Sequence, residues 1–174
     1  MLDVSVAYNR YKFLGYEFLT WLWFTIENDF DLLRKSDNQI VSLEIGNRIA
    51  LENRRNDAKE TITIKGDDAG LEEGLLALKK GAQVTEMNLA YKTGELEWFF
   101  TIKGENLNLS NLKLPATGPV ENKDDIEGAL IEKAYLYEML FGFTDRLFTD
   151  FITLRVSDEW KKQVSIQIKR WILR

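Results

Sequence analysis

Apolar residues near the start of the chain recur at three- and four-residue steps, which is the spacing of an α-helix. We predict a central helix over residues 11–27, whose apolar surface is wider than one face. A helix apolar on so many sides is buried on several of them or contacts a partner subunit. Its cover is either a second copy of the chain or the C-terminal segment around Trp160 and Trp171. The side chains predicted at a subunit interface are Phe18, Trp21, Trp23 and Phe24.

The middle of the chain alternates between apolar and polar residues, which is typical of strands with one buried face. Strands are predicted at residues 39–45, 48–52, 60–65, 84–91 and 96–103, with a short edge strand within 106–114. Gly46-Asn47 lies between the first two of these strands and is typical of a tight hairpin turn. Residues 53–57 are predicted to form a polar turn.

Three more helices follow from helical spacing and end signals. The first begins after Gly66, with an aspartate N-cap, and ends at Lys79-Lys80 before Gly81. A possible linker at 115–123 precedes a long apolar helix at 124–156 and a last helix at 160–173. The outline is a single α+β domain over residues 1–174. Its mostly antiparallel sheet has an N-terminal hydrophobic helix, one inserted helix and two C-terminal helices.

Composition narrows the possible chemistry. The chain of 174 residues has a formal net charge of −5 and contains neither cysteine nor histidine. Disulfides, thiolate or histidine metal ligands and serine triads are therefore excluded. The apolar N-terminal run is shorter than the roughly 20 residues that a membrane helix needs. We expect a cytoplasmic protein with no membrane segment.

Clustered basic residues are the candidate anion-binding positions. Lys161, Lys162, Lys169 and Arg170 lie in the last helix, where Trp160 and Trp171 could stack on bases. The alternative is an amphipathic helix with core tryptophans and solvated lysines. Arg54-Arg55 is a second basic patch, or a turn whose charge only aids solubility.

Acidic pairs are the candidate metal ligands. Asp67-Asp68, Glu72-Glu73 and Asp124-Asp125 are widely separated, and a metal-dependent nuclease needs acids that converge on one cleft. Acids in a first helical turn are also explained by the helix dipole. We therefore expect no catalytic residue, no metal and no cofactor.

Three stretches resemble the C-terminal half of the RdgC-like family of bacterial recombination-associated proteins. The first is Phe-Leu-Gly-x-Glu-Phe-Leu-x-Trp-Leu-Trp, which begins at Phe13. The second is residues 71–85, followed by a strand ending at Tyr91 and then by residues 96–102. The third is Leu112-Lys113-Leu114-Pro115, followed by an acidic spacer and a long apolar helix. Their order and spacing agree with the family over nearly the whole chain, which corresponds to about half of a typical member.

The resemblance implies a non-catalytic, sequence-independent binder of double-stranded DNA, associated with the nucleoid. Such proteins form ring-shaped homodimers around duplex DNA and restrain RecA-driven recombination. The positions that match the family's DNA-contacting loop and helix end include Lys65, Lys79 and Lys80. The alternative function is a protein–protein adaptor or inhibitor, encoded by a phage or mobile element, that kept the fold and lost DNA binding. The net acidity favours this alternative.

Overall fold

The protein is described here by a computed structural model over residues 10–28, 41–55 and 58–174. Side chains outside this description are those of Arg54, Arg55, Ala58, Asp68, Ala69 and Asp124. The elements are α1 (Phe13–Asn28), β1 (Val41–Arg55), β2 (Ala58–Ile64), α2 (Asp68–Lys79), β3 (Gln83–Thr93), β4 (Leu96–Lys103), β5 (Leu109–Lys113), α3 (Lys123–Val156), a π-helical turn (Trp160–Val164) and α4 (Ser165–Leu173). The predicted α+β class and its order of helices and sheet are confirmed.

The five strands form one antiparallel sheet in the order β2-β1-β3-β4-β5. Alternation along β4 determines its two faces. Trp98, Phe100 and Ile102 are buried in the core, as the sequence pattern predicts. The opposite face of the sheet, called the open face below, carries exposed residues such as Lys92 and Phe99.

The predicted hairpin turn at Gly46-Asn47 is wrong. These residues lie inside the single strand β1, where its register against β3 shifts between Ile45 and Ile49. The Asn47 N–H donates to Oδ1 of Asn88 on β3 at 3.1 Å, so a side chain replaces the backbone partner at this irregularity. The strand can therefore bulge and continue where the local sequence favours reversal.

The hairpin instead connects β1 to β2. Arg55 pairs with Ala58 in the antiparallel ladder, within the region predicted as a polar turn. The two connecting residues, 56 and 57, lie outside the described part of the chain. The start of the predicted strand at 39–45 also lies outside it, because the description resumes at residue 41.

Helix α1 packs on the buried face of the sheet through a close backbone approach. A Cβ placed on Gly15 would lie 1.7 Å from the carbonyl oxygen of Gly104, which follows β4. Only a glycine at position 15 allows this distance. Phe18, Leu19 and Leu22 follow on the same helix and are fully buried, so α1 occupies the centre of the hydrophobic core.

The N-terminus of α2 is capped as the sequence predicts. The carboxylate of Asp67 accepts a hydrogen bond from the Gly70 N–H at 2.9 Å. After the helix, Gly81 has a φ of 94°, a backbone conformation that favours glycine.

Replacing Asp67 with alanine is expected to lower the free energy of unfolding by about 1 kcal/mol, because one helix N–H loses its acceptor. The Asp67→Asn variant keeps an acceptor oxygen and should stay within a few tenths of a kcal/mol of wild type. Urea denaturation of the three proteins measures the difference. An equal decrease in the free energy of unfolding in the two variants would contradict capping by the Asp67 side chain.

Helix α3 begins with a reciprocal cap. The Asp125 N–H donates to Oδ1 of Asn122, and the Asn122 N–H donates to Oδ2 of Asp125. The predicted linker precedes it, and there the Gly118 N–H donates to a carboxylate oxygen of Glu132 at 3.3 Å. The linker therefore runs back along the helix that it introduces.

The two halves of α3 have different surroundings. In the C-terminal half, Leu136, Leu140 and Phe143 are buried, and the ring of Phe143 stacks on Tyr91 of β3. The indole N–H of Trp98 donates to the Leu136 carbonyl at 3.1 Å. In the N-terminal half, no side chain described at positions 123–135 is buried. About 20 Å of helix therefore lies along the surface or projects from the core, at 1.5 Å per residue.

Candidate nucleic-acid interface

The C-terminal segment is an amphipathic helix that packs on α1 and α3. Its buried side chains are Trp160, Val164, Ile168 and Trp171. The Trp160 ring meets Phe151 of α3 edge-on at 5.6 Å. The Trp171 ring meets Trp23 of α1 edge-on at 5.4 Å. Because both indoles are in the core, they cannot stack on bases, as the amphipathic-helix alternative expects of the tryptophans.

Glu27 is the polar anchor between α1 and the C-terminal segment. Its Oε1 accepts a hydrogen bond from the indole N–H of Trp23 at 2.7 Å. Its Oε2 accepts from the indole N–H of Trp171 at 3.0 Å and from Arg174 at 2.9 Å. One carboxylate therefore satisfies two buried indole donors and pairs with a cation.

The residues predicted at a subunit interface are placed mainly in this core. Phe18, Trp21 and Trp23 are at most 4% exposed within a single chain. Phe24 is partly buried and packs on Trp171, with ring centroids 5.6 Å apart. The C-terminal segment is thus the cover for the wide apolar surface of α1, and the first three side chains have no surface left for a second copy. The homodimer itself stays a prediction.

The outer side of the C-terminal segment is basic. Lys161, Lys162, Lys169 and Arg170, the candidate binding residues of this segment, are all exposed. Lys162 pairs with Asp158 one turn earlier at 3.0 Å, in a solvated ion pair. Residues 160–174 contain no acidic side chain, so the exposed face of the segment has one sign of charge.

The fold brings one other predicted cation to this region. Lys79, near the end of α2, and Arg174 line the same groove, together with Glu72 and Glu73. Lys80 follows directly on α2 and is exposed. The two acids balance the two cations, so the lining of the groove has no formal net charge.

Lys65 does not join this group. It precedes α2, whereas Lys79 and Lys80 are at its end, and a helix of 12 residues separates them. That length is about 18 Å at 1.5 Å per residue. Arg54 and Arg55 pair with Lys59 and Ala58 in the β1–β2 ladder, and their side chains lie outside the described part.

The open face of the sheet is neutralised by ion pairs between strands. Arg48 of β1 pairs with Glu86 of β3 at 2.9 Å. On the neighbouring strands, Lys92 of β3 pairs with Glu97 of β4 at 2.9 Å. The hydrogen bond and the charge of Glu97 raise the pKa of Lys92. Lys59 and Glu52 form a further pair at 2.7 Å. Each of these three pairs offsets the charge of one cation on the face.

Two of the acidic residues predicted from the sequence have local roles in the described structure. Asp67 and Asp125 cap α2 and α3, so both have local roles in the backbone. Among the described residues, no three carboxylates, histidines or cysteines lie close enough together to hold a metal ion. No helix in the described ranges has both the length and the apolar run needed to cross a membrane.

Sequence reasoning missed the exposed apolar residues of α3. Helical spacing predicts the helix, but it does not say which of its apolar positions are buried. In the structure large exposed apolar side chains lie on the helix between residues 126 and 137: Ile126 (47%), Leu130 (63%), Ile131 (65%), Tyr135 (59%) and Tyr137 (40%). The available signal was the width of the apolar pattern, which exceeds the area that one sheet face covers.

Comparisons of the chain with protein-family profiles, with curated protein sequences and with solved structures found no match. The resemblance of its motifs to the RdgC-like family therefore stays an expectation from the sequence.

Proposed function

We propose that the protein is a non-catalytic binder of double-stranded DNA that contacts phosphates through the exposed side of its C-terminal segment. The observation that supports this is the row of exposed cations at Lys161, Lys169 and Arg170, with no acid in residues 160–174. Lys80 at the end of α2 is a further exposed cation, whereas Lys79 lies in a groove where Glu72 and Glu73 balance the positive charge. Such contacts neutralise the phosphates of the DNA backbone and do not involve the base edges, so binding is independent of the DNA sequence.

The proposal fits a protein with net negative charge because phosphate binding depends on a local patch. The segment of net positive charge is separate from the acidic first half of α3. In the cell such a protein would be cytoplasmic and associated with the nucleoid. Its influence on recombination, and on RecA, is proposed from the resemblance alone.

Removing the three cations should weaken DNA binding by about tenfold at 0.15 M salt and lower the salt slope by up to about 3, since each phosphate contact contributes about 1. The variant is Lys161→Gln/Lys169→Gln/Arg170→Gln, measured by fluorescence anisotropy with labelled duplexes of two unrelated sequences. Both duplexes should respond alike. The replaced side chains are exposed, so folding should be unaffected.

A matched control is Lys92→Gln/Lys103→Gln/Lys113→Gln, which removes the same charge from exposed positions on β3, β4 and β5. It should change affinity by less than about threefold, the part due to net charge alone. Equal losses in the two triple variants would exclude a specific phosphate-binding face. A wild-type affinity that does not fall with added salt would exclude DNA binding through phosphates altogether.

A second candidate function is a protein–protein adaptor. The observation that favours it is the exposed apolar surface on the N-terminal half of α3, since large exposed apolar patches mark interaction sites. The two functions use different surfaces, so either can be tested in a variant that leaves the other intact.

A further inference from the structure

Helix α3 carries a continuous exposed apolar stripe. Its members are Ile126, Leu130, Ala134, Tyr137 and Phe141, and the steps between them are four, four, three and four residues. At 100° per residue these positions lie on one side of the helix. Leu130 is 63% exposed and Phe141 is 51% exposed, while the rings of Tyr137 and Phe141 stack at 5.9 Å. The stripe is distinct from the row that packs on the sheet.

The stripe ends in a groove of about 680 Å³ between α3 and the loop that joins β4 to β5. Phe141 is the last member of the stripe and also lines this groove. Leu109 and Phe148 line the groove with apolar surface, and Asp145 and Asn108 provide polar atoms. Leu107 also lines the groove. Its φ of 59° is a backbone conformation that a leucine rarely adopts. A bulky side chain from outside could occupy this space.

A row of acids follows one edge of the stripe. Glu127, Glu138 and Asp145 are eleven and seven residues apart, so they share one side of the helix. All three are exposed. Over residues 121–141 the chain has six acidic residues against two lysines. The formal net charge of this segment is therefore −4, out of −5 for the whole chain.

We infer that the stripe of α3 is a docking surface for a basic amphipathic helix of a partner protein. Its apolar side would lie on Leu130 and Tyr137, and a large apolar residue would enter the groove beyond Phe141. Its lysines or arginines would pair with Glu127 and Glu138. Two helices that pack in this way contact each other through rows of side chains at three- and four-residue steps. A second copy is disfavoured because it would bring two acidic segments together. This inference rests on the adaptor function.

The test uses two synthetic amphipathic helical peptides that share a leucine face. One has lysines beside the leucines, and the other has glutamates there. Fluorescence anisotropy at 0.15 M salt should show the lysine peptide binding at least tenfold more tightly to the full chain. Leu130→Ser should weaken it by about tenfold, and Glu127→Lys/Glu138→Lys should reverse the preference between the peptides.

Control variants keep the test specific. Val156→Ser alters a residue of the same helix that is 79% exposed but lies outside the stripe. Glu95→Lys/Glu159→Lys makes the same charge change at other exposed positions. Both controls should bind the lysine peptide within about threefold of wild type. Circular dichroism of every variant verifies that the fold is kept.

Four results would overturn the inference. Equal binding of the two peptides, or a preference for the glutamate peptide, would reject a basic partner while leaving the adaptor function standing. No binding of either peptide would reject the docking surface and the adaptor function together. A wild-type dimer that Leu130→Ser dissociates in sedimentation would assign the stripe to a second copy. Binding to phosphatidylcholine–phosphatidylglycerol vesicles that Leu130→Ser abolishes would assign it to lipid.

Discussion

Replacing Gly15 with alanine is expected to lower the free energy of unfolding by about 3 kcal/mol, at the upper end of overpacking costs. The added methyl would stand 1.7 Å from the Gly104 carbonyl oxygen and 2.8 Å from its carbonyl carbon. Both are backbone atoms, so no side-chain rotation can relieve the contact. Helix α1 or the loop after β4 would have to move, and the core around Phe18 and Leu19 would move with it.

The matched control is Gly128→Ala in the exposed half of α3, where an added Cβ meets nothing within 4 Å. Alanine is the better helix former, so this variant should be more stable by about 0.5–1 kcal/mol. Thermal unfolding followed by circular dichroism measures both. The Gly15 variant should melt about 6–12 °C lower, at 2–4 °C per kcal/mol for this chain length. If both variants raised the melting temperature, or both lowered it, the close approach of α1 and the loop would be contradicted.

Replacing Glu27 with alanine is expected to cost about 2–4 kcal/mol, because an unsatisfied buried donor costs about 1–3 kcal/mol. The substitution removes the acceptor of Trp23 and of Trp171. Both rings are at most 4% exposed, so water cannot readily take the place of the carboxylate. Arg174 loses its ion pair as well, but that pair is partly solvated and contributes less.

The control is Glu17→Ala. Glu17 also lies on α1, and among the contacts described it pairs only with Arg155. Arg155 and Glu17 are 29% and 37% exposed, so Glu17→Ala should cost less than about 1 kcal/mol. Urea denaturation with tryptophan fluorescence measures both variants. Adding Trp171→Phe to Glu27→Ala should cost less than the sum of the single changes, since the two remove one shared bond. Additive losses would mean that this bond does not hold the C-terminal segment to α1.

Local signals in the sequence predicted the ends of several elements. Asp67 before α2 and Gly81 after it both act as expected, because a cap depends only on residues within one turn. The strict alternation from Leu96 to Lys103 predicted β4 and its buried face. Such signals need no knowledge of the rest of the fold.

The prediction at Gly46-Asn47 failed because distant residues decided it. Asn88, 41 positions away from Asn47, supplies the acceptor that allows β1 to continue. Distant residues also determine the roles of the tryptophans. Trp160 and Trp171 have the same spacing whether they are in the core or stacked on bases, and only the position of α1 distinguishes these cases. For the same reason the sequence could predict a helix over α3 but not which half would be covered.

The candidate binding residues were predicted in part. Chemistry alone identified the cations of the C-terminal segment, and their exposure follows from the amphipathic pattern. The separation of Lys65 from Lys79 depends on the length of α2, and the neutral open face depends on strand register. Neither can be read from a list of charged residues.

The strand order has a consequence for how the chain folds. The pairs β1–β2, β3–β4 and β4–β5 each join strands that are consecutive in sequence, whereas β1 reaches β3 only by enclosing β2 and α2. Pairings that close such loops are slower to form than local hairpins. Because α2 has its own cap and C-terminal glycine, it can begin to form before the loop closes. A transient α2 would reduce the number of conformations open to the loop between β1 and β3. The cap and the glycine of α2 would therefore speed the β1–β3 pairing, which is the one nonlocal pairing in the described sheet.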